Sequence, residues 1–273
     1  PLMLIRNSDQ TRFVRIPGGP FTMGNHFDGS GKQTDEDQPA HPVLLSDYYL
    51  QENEVTNSEM DAYFLAKKVD RSARPRRFQE AWEQIEKAGR PPGPYPAVGV
   101  SHALAEEYAR SVGGKLPTEA QWEYAARSRG KPNRYVWDDD EKPSHRNANI
   151  ASAGDHLYLT TSEVRTFPKD KTEQGVYDLT GNVREWCRDL WARYRSAKDP
   201  ARDPKGPDSS NADPLDFVIR GGSFFTFADQ FRTTRPRRVE RDNPDDHTAM
   251  QLAGDQTADD LGFRVVIEWP RNP

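Results

Sequence analysis

The chain is poor in the residues that usually build a hydrophobic core. Leu, Ile, Val and Phe account for 48 of its 273 residues, about 18%, and a share below roughly 20% is typical of disordered chains when the net charge is also high. The second condition is not met, because 38 basic residues face 43 acidic residues for a formal net charge of −5. Six Trp and ten Tyr residues supply large apolar surfaces instead. We therefore expect a folded chain with an aromatic core and much irregular backbone.

The composition also restricts the classes of partner. No stretch approaches the roughly 20 apolar residues that span a bilayer, and a pI near 5.8 argues against general nucleic-acid binding. Residues 1–5 are too few for a signal peptide and are equally compatible with the remnant of a trimmed one. Cys187 is the single cysteine of these residues, which leaves no partner for an intrachain disulfide. We expect it to be a small, buried apolar side chain rather than a nucleophile.

Three helices are predicted from the residues that would cap them. Thr56 stands three residues before Glu59, which is the spacing of a capping box. Thr118 stands in the same relation to Gln121 and would start a helix that runs to residue 130. Ser101 would cap a third helix, which a Gly-Gly pair ends at residues 113–114.

The rest of the chain predicts short strands and turns. Apolar runs of strand length lie at residues 13–16, 21–23, 43–45, 48–50, 217–219 and 262–267. Residues 25–41, and most of residues 131–214, predict loops, turns and short strands without a long helix. Because no internal repeat or convincing linker divides the chain, we expect a single domain over residues 1–273.

An ordered set of motifs spans nearly the whole chain. It comprises IPGG with FTMG at residues 16–24, EVTN at 54–57, KLPTEAQWEYAAR at 115–127, GVYDLTGNVREW at 175–186, RGGS at 220–223 and GFR at 262–264. This set resembles the formylglycine-generating enzyme (sulfatase-modifying factor) family. The resemblance implies an α+β fold related to C-type lectins and low in regular secondary structure. It also favours a periplasmic or secreted location.

The founding chemistry of that family is not expected here. Members that form formylglycine resemble one another in two cysteines, three and eight residues after the serine of RGGS, which bind copper. The matching positions are Thr226 and Phe231. Neither side chain supplies the soft thiolate that Cu(I) requires, which argues against copper and against formylglycine formation. We therefore assign no catalytic residue.

Histidine does not obviously replace the thiols. A second branch, the iron-dependent sulfoxide synthases, takes its iron-binding histidines from a separate helical domain that has no counterpart here. The six histidines of this chain show no His-x-x-His or His-x-x-x-His spacing. His102 stands where the family often has a tryptophan, so either a packing role or a cleft role is open to it.

The resemblance implies a calcium site around the GNVREW segment. Mapped onto this chain, its ligands are the side chains of Asp178 and Glu185 and the backbone carbonyls of Gly181 and Val183. Calcium prefers six to eight oxygen ligands, which a turn of this composition can supply. The alternative is a capped turn that needs no ion. A second family site near Asn149, with a later acid such as Asp155, matches the family spacing less well.

The segment after RGGS is the candidate ligand-binding region. Four phenylalanines fall within residues 224–231, where they could line a pocket or fill the core. Residues 220–241 carry six Arg against two acids, and residues 242–260 carry six Asp and no Lys or Arg. These blocks either pair with each other or present an arginine-lined surface to an acidic ligand. The predicted binding residues are Trp186, Ser223, Phe224, Thr226, Phe231, Arg232 and Arg235.

Two functions follow from these observations. The first is a family member without formylglycine-forming activity that acts as a calcium-stabilised protein- or peptide-binding or regulatory module. An example among similar proteins is the accessory regulator of a kinase linked to type VI secretion. The alternative is a metal-dependent oxidase-like enzyme, similar to the proteins that mature the pyoverdine chromophore.

Overall fold

The computed structural model describes residues 2–24, 39–137, 144–151, 160–207, 217–226 and 257–269. The strands within these ranges are β1 (Met3–Ile5), β2 (Arg12–Ile16), β3 (Gly19–Met23), β4 (His41–Leu45), β5 (Tyr48–Gln51), β6 (Arg184–Leu190), β7 (Ala201–Arg202), β8 (Phe217–Arg220), β9 (Leu261–Gly262) and β10 (Val266–Glu268). The α-helices are α1 (Asn57–Ala66), α2 (Arg76–Lys87), α3 (His102–Ser111) and α4 (Glu119–Ala126). No helix in the described ranges has the length and apolarity needed to cross a membrane.

The predicted helix starts are confirmed. The Thr56 hydroxyl accepts the Glu59 N–H at 3.3 Å, and the Glu59 carboxylate accepts the Thr56 N–H at 2.8 Å. Thr118 and Gln121 form the same reciprocal pair at the start of α4. Ser101 caps α3. Each of these caps satisfies backbone N–H groups that the first helical turn leaves without partners.

The predicted end of α4 is wrong by four residues. The helix ends at Ala126 rather than at residue 130. Ser128 and Arg129 adopt positive φ angles of 44° and 72°, which a right-handed helix does not contain. The chain turns back at this point, and the N–H groups of Arg129 and Gly130 both donate to the Tyr124 carbonyl.

Helix α2 was not predicted from the sequence. Its N-cap is Pro75, which provides no side-chain hydrogen bond. Its inward face carries Phe78, Trp82 and Ile85, which recur at helical spacing. Its start overlaps a basic segment at residues 71–77 and a proline-rich segment follows at residues 90–96, and no side-chain cap marks its start.

The strands form three small sheets in the described part of the chain. The first has the order β1-β2-β5-β10, the second β3-β4-β7, and the third β8-β6-β9. The single strand predicted over residues 262–267 is therefore wrong, because β9 pairs with β6 and β10 pairs with β5 in a different sheet. The chain crosses between the two sheets over residues 263–265.

The core is aromatic, as the composition predicted. The largest fully buried apolar side chains are Trp122, Trp186, Tyr48, Tyr49, Tyr108, Tyr124, Phe13, Phe78 and Phe263. Three arginines, Arg127, Arg220 and Arg264, are buried as completely. Buried charges require partners, and the residues that neutralise these guanidinium groups lie around the candidate site.

Candidate functional site

The RGGS motif ends β8 and leads into a closed turn. The Ser223 N–H donates to the Thr226 hydroxyl at 3.0 Å, and the Thr226 N–H donates to the Ser223 carbonyl at 2.8 Å. Both side chains are fully buried. Thr226 thus holds the turn together through its hydroxyl group.

A buried ion pair between Arg184 and Asp260 holds this turn in place. The Ser223 hydroxyl donates to the Asp260 carboxylate at 2.7 Å. Asp260 also accepts two hydrogen bonds from the Arg184 guanidinium, one of them at 2.9 Å from Nε. Because Arg184 lies on β6 and Asp260 immediately precedes β9, the turn is attached to the third sheet through charged hydrogen bonds.

A groove of about 290 Å³ opens between this turn and α2. Phe224 and Phe225 line one side, with their ring centroids 4.3 Å apart. Phe225 is 46% exposed, whereas Phe224 is buried. On the opposite side, Ala81 and Ile85 of α2 and Ala88 at its C-cap form an apolar stripe at helical spacing. The groove thus has an apolar strip on each side, with polar residues of α2 and Thr160 and Thr161 beside it.

Charged residues border the groove. Arg77 pairs with Asp259 at 2.6 Å, and Glu80 accepts a hydrogen bond from Arg76 at 2.7 Å. The guanidinium of Arg90, which is exposed, makes no hydrogen bond or ion pair with any residue that the structure describes. An acidic group on a ligand could therefore pair with Arg90 without displacing a partner from the described residues.

The predicted ligand-binding residues are only partly brought together. Ser223, Phe224 and Thr226 lie in one turn, and Phe224 lines the groove. Trp186 is fully buried, with its N–H bonded to the Val100 carbonyl at 3.0 Å, so it contributes packing rather than contact surface. Phe231, Arg232 and Arg235 lie outside the described residues. Phe225 was not among the predicted residues, although the same aromatic segment contained it.

The two charge blocks do not pair with each other where the structure describes them. Arg220 pairs with Glu123 at 2.7 Å and approaches Glu119 at 3.4 Å. Asp259 and Asp260 pair with the arginines on α2 and β6 given above. The described ends of both blocks are thus anchored to the surrounding fold.

The carboxylates predicted to bind calcium lie in a buried acidic cluster. Glu185 accepts hydrogen bonds from Arg264 Nε at 2.7 Å and Nη2 at 2.6 Å, and from the Trp122 N–H at 3.0 Å. Both of its oxygens are therefore already occupied. Asp178 adopts a φ of 60° and accepts the Arg165 N–H at 2.6 Å. Of the two predicted side-chain ligands, Asp178 has the more available carboxylate.

Two further carboxylates complete the acidic cluster and were missed. Glu54 is fully buried, and neither of its carboxylate oxygens accepts a hydrogen bond from an N–H or hydroxyl group of any other described residue. Its carboxyl group, when protonated, donates a hydrogen bond to the Asp178 carboxylate. Asp170 accepts the N–H groups of Thr180 and Gly181. Glu54 belongs to the EVTN motif, so the motif identified the residue but not its proximity to Asp178 across the fold.

Burial and mutual repulsion raise the pKa values in this acidic cluster. Burial is the main cause for the pKa of Asp178, which rises to about 6, and for that of Asp170, which rises to about 8 with help from the Asp178 charge. Burial, followed by the Asp178 charge, holds the pKa of Glu54 well above its usual range. Three carboxyl groups, those of Glu185, Glu54 and Asp178, surround the single guanidinium of Arg264, and the charge of Asp178 also acts on Asp170. Bound protons or a cation must balance this excess of negative charge.

The turn that follows Asp178 is also tightly packed. A Cβ on Gly181 would lie 2.5 Å from the Asn149 carbonyl oxygen, so glycine is required there. Within the described ranges, no group of three or more His, Cys, Asp or Glu side chains is arranged to hold a metal ion. A calcium ion at this place would depend on backbone carbonyls together with two carboxylates. Asp155, the acid of the weaker second site, lies outside the described residues.

His102 and Cys187 have packing roles. The His102 ring stacks on Phe217, with centroids 3.4 Å apart, and its Nε2 lies 3.0 Å from the Cys187 carbonyl oxygen. Burial lowers the pKa of His102 to about 4, so the ring is neutral. Cys187 is fully buried, and burial raises the pKa of its thiol well above the usual range. The prediction that Cys187 is a buried apolar residue is confirmed.

Comparison with known proteins identifies the family. The family model described as the sulfatase-modifying factor enzyme 1-like domain matches residues 4–269. The chain belongs to this family. The resemblance and the α+β sulfatase-modifying factor fold predicted from the motifs are thereby confirmed.

The relatives of this sulfatase-modifying factor family member include both an enzyme and a protein named as inactive. The formylglycine-generating enzyme of Streptomyces coelicolor is 30% identical over 298 aligned residues, which cover 92% of this chain and 87% of that protein. The inactive Cα-formylglycine-generating enzyme 2 of Bos taurus is 27% identical and covers 98% of this chain and 91% of that protein. The structure of PvdO from Pseudomonas aeruginosa matches with a TM-score of 0.73 and 26% identity over 98% of each chain. Membership of the family therefore does not by itself decide the activity.

Proposed function

We propose that this chain does not form formylglycine and acts as a binding or regulatory module for a protein or peptide. The observation that carries the proposal is a closed turn that lies next to an open groove. Thr226 stands at one thiol position, with its hydroxyl group bonded to the Ser223 N–H. Directly beside this turn, Phe225 exposes nearly half of its surface to an apolar groove.

The lining of the groove favours one kind of occupant. Apolar side chains on both sides suit an aromatic or aliphatic anchor, and such anchors dominate the binding energy of peptide complexes. Arg90, which has no partner among the described residues, supplies a positive charge at the border. We therefore propose a peptide segment with an apolar anchor beside an acidic residue. Regulation of a kinase linked to secretion is one function of this kind.

A peptide library tests the groove. Purified protein would be screened against a random synthetic peptide library, alongside the variants Phe225→Asp and Leu65→Asp. Leu65 lies on α1 and is 63% exposed, but it does not line the groove. We expect the wild type and Leu65→Asp to enrich the same acidic-apolar peptides and Phe225→Asp to enrich none of them. Equal enrichment by all three proteins would contradict the proposal.

The module is proposed to be stabilised by calcium. The buried excess of carboxylates supports this part of the proposal, because a calcium ion would replace the proton that Glu54 and Asp178 share. Because Glu185 is occupied by Arg264, Glu54 and Asp178 are the side chains that would hold the ion, with the carbonyls of Gly181 and Val183. Calcium would supply the compensating charge and cross-link the turn after Asp178 to the start of α1.

Chelation tests the calcium site. We expect EDTA to lower the melting temperature of the wild type, because a ligand that binds only the folded state stabilises it by an amount that grows with the logarithm of the free ligand concentration. Glu54→Gln should remove this response. Asp61→Asn is the matched control, since Asp61 lies on α1 with its carboxylate paired to Arg74 at the surface. An EDTA-insensitive melting temperature in the wild type would remove the site.

The oxidase-like enzyme remains the second candidate. The observation in its favour is the similarity to PvdO, which extends over 98% of each chain at 26% identity. Such an enzyme would require a redox metal or cofactor. Metal analysis separates the two candidates, because a binding module would hold calcium alone.

A further inference from the structure

A second cavity, of about 600 Å³, lies where the three sheets meet. Its walls come from the β4–β5 turn, the segment before α4, β6, the residues after β7, and β10. It shares no lining residue with the groove beside Phe225. Its size falls within the range of about 300 to 1,000 Å³ that is usual for small-molecule sites.

Two of the acidic residues that line this cavity already have partners. Asp47 accepts a hydrogen bond from the Arg15 guanidinium at 2.7 Å. Asp203 accepts the N–H and the hydroxyl of Ser46, each at 2.7 Å. Their negative charges are thus directed to residues of the wall rather than to a ligand.

The basic residues of the cavity are not compensated to the same degree. Lys115 pairs with Glu268 at 2.6 Å, and both side chains are about half exposed. Arg188 and Lys205 make no side-chain hydrogen bond or ion pair with any residue in the described ranges. The Lys115 ammonium holds the pKa of Glu268 below its usual range, and the charges of Arg188 and Lys205 act in the same direction. Lys115 therefore contacts the Glu268 carboxylate directly, and the charges of Arg188 and Lys205 act on it from nearby.

The cavity also has a rigid apolar wall. Leu116 and Val266 are buried beneath it. Trp269 stacks on Tyr49 with ring centroids 5.2 Å apart, and the Arg15 guanidinium lies 4.6 Å from the centre of the indole ring. Because Trp269 is held in this way, the wall is formed before any ligand arrives, which reduces the entropy cost of binding.

We propose that this cavity is a binding site for a small organic anion, with its carboxylate or phosphate group held by Arg188 and Lys205 and its apolar body against Trp269. Glu268 is a carboxylate of the protein itself that already interacts with Lys115, Arg188 and Lys205. An incoming anion therefore competes with Glu268 for Lys115 and its neighbours.

Calorimetric titration with three probes tests the proposal. Benzoate and phenyl phosphate distinguish carboxylate from phosphate, and inorganic phosphate reports the contribution of charge alone. We expect one-to-one saturable binding of at least one aromatic probe. Arg188→Gln and Lys205→Gln should each weaken it about tenfold, the usual effect of losing a charged hydrogen bond. Lys87→Gln, an exposed cation on α2, should leave it unchanged.

Glu268→Gln should change the affinity for the probes in the opposite direction. Because the substitution removes the internal competitor, we expect tighter probe binding than in the wild type. Lys205 is exposed, so its variant keeps the test valid if Arg188→Gln fails to fold. The proposal is overturned if no aromatic probe saturates, if Lys205→Gln and Lys87→Gln bind alike, or if Glu268→Gln does not tighten binding. Inorganic phosphate that binds as tightly as the aromatic probes would overturn the organic class of ligand.

Discussion

The turn after Gly222 is held together by one buried hydroxyl group, that of Thr226. The Thr226 hydroxyl accepts the Ser223 N–H inside the protein. A buried N–H without a partner costs far more than a hydrogen bond gains. Thr226 therefore has a structural role that does not depend on any metal.

Thr226→Val should destabilise the protein by about 1 to 3 kcal/mol, because it leaves the buried Ser223 N–H without an acceptor. Thr226→Ser keeps the hydroxyl and should stay close to the wild type. Denaturant unfolding measures both free energies. Thr160→Val is the control, since its hydroxyl is exposed and bonded only to the Thr161 carbonyl at 3.3 Å. Equal effects at residues 226 and 160 would contradict this role.

The Glu185–Arg264 pair is a second residue-scale feature with a measurable consequence. Arg264→Met should cost about 3 to 5 kcal/mol, because it leaves the buried Glu185 charge beside other carboxyl groups. Arg110→Met breaks an exposed pair with Glu106 and should cost less than about 0.5 kcal/mol. Chemical denaturation of both variants compares them. A similar cost for the two substitutions would show that the buried pair does not balance the acidic cluster.

His102 should make stability depend on pH. The unfolded imidazole binds a proton near pH 6.5 and the buried one only near pH 4. Protons therefore favour the unfolded chain between these values, and the stability that this residue contributes above pH 6.5 is lost as the pH falls towards 4.

His102→Phe removes this proton linkage. The advantage of the wild type over the variant in free energy of unfolding should shrink by about 3 kcal/mol between pH 7 and pH 4. Urea titrations across this pH range measure the difference. A constant difference would mean that the buried ring does not titrate as its surroundings imply.

At the scale of single elements, side-chain caps predicted helix starts correctly, whereas the pairing of strands could not be predicted. Thr56, Ser101 and Thr118 identified three helix starts because a cap involves residues only three positions apart. The strand predicted over residues 262–267 failed because its division depends on pairing with two different sheets. The six residues themselves carry no signal for the sheet that each part joins.

Thr118→Ala should cost about 1 kcal/mol, since α4 loses the side-chain acceptor for its Gln121 N–H. Thr118→Ser retains an acceptor and should recover most of this free energy. Thermal unfolding with calorimetry resolves a difference of this size. If Thr118→Ala and the wild type melt together, the cap does not stabilise α4.

At the scale of the whole molecule, the ordered motifs predicted the family and its α+β fold, and the composition predicted an aromatic core. The candidate site was predicted less completely. Asp178 and Glu185 were predicted as a pair of ligands. In the structure, the Glu185 carboxylate accepts hydrogen bonds from Arg264, and Glu54 is the carboxyl group that lies beside Asp178. Partners so far apart in sequence meet only through the tertiary fold, which a linear motif does not encode.

We propose that this family member is a calcium-stabilised binding module without redox chemistry. Elemental analysis of protein purified from its native source, in metal-free buffers without chelator, tests it most directly. We predict about one calcium ion per chain, as one oxygen-rich site requires, with copper and iron at trace levels. Copper or iron at about one ion per chain, bound in a site built for a transition metal, would contradict the account.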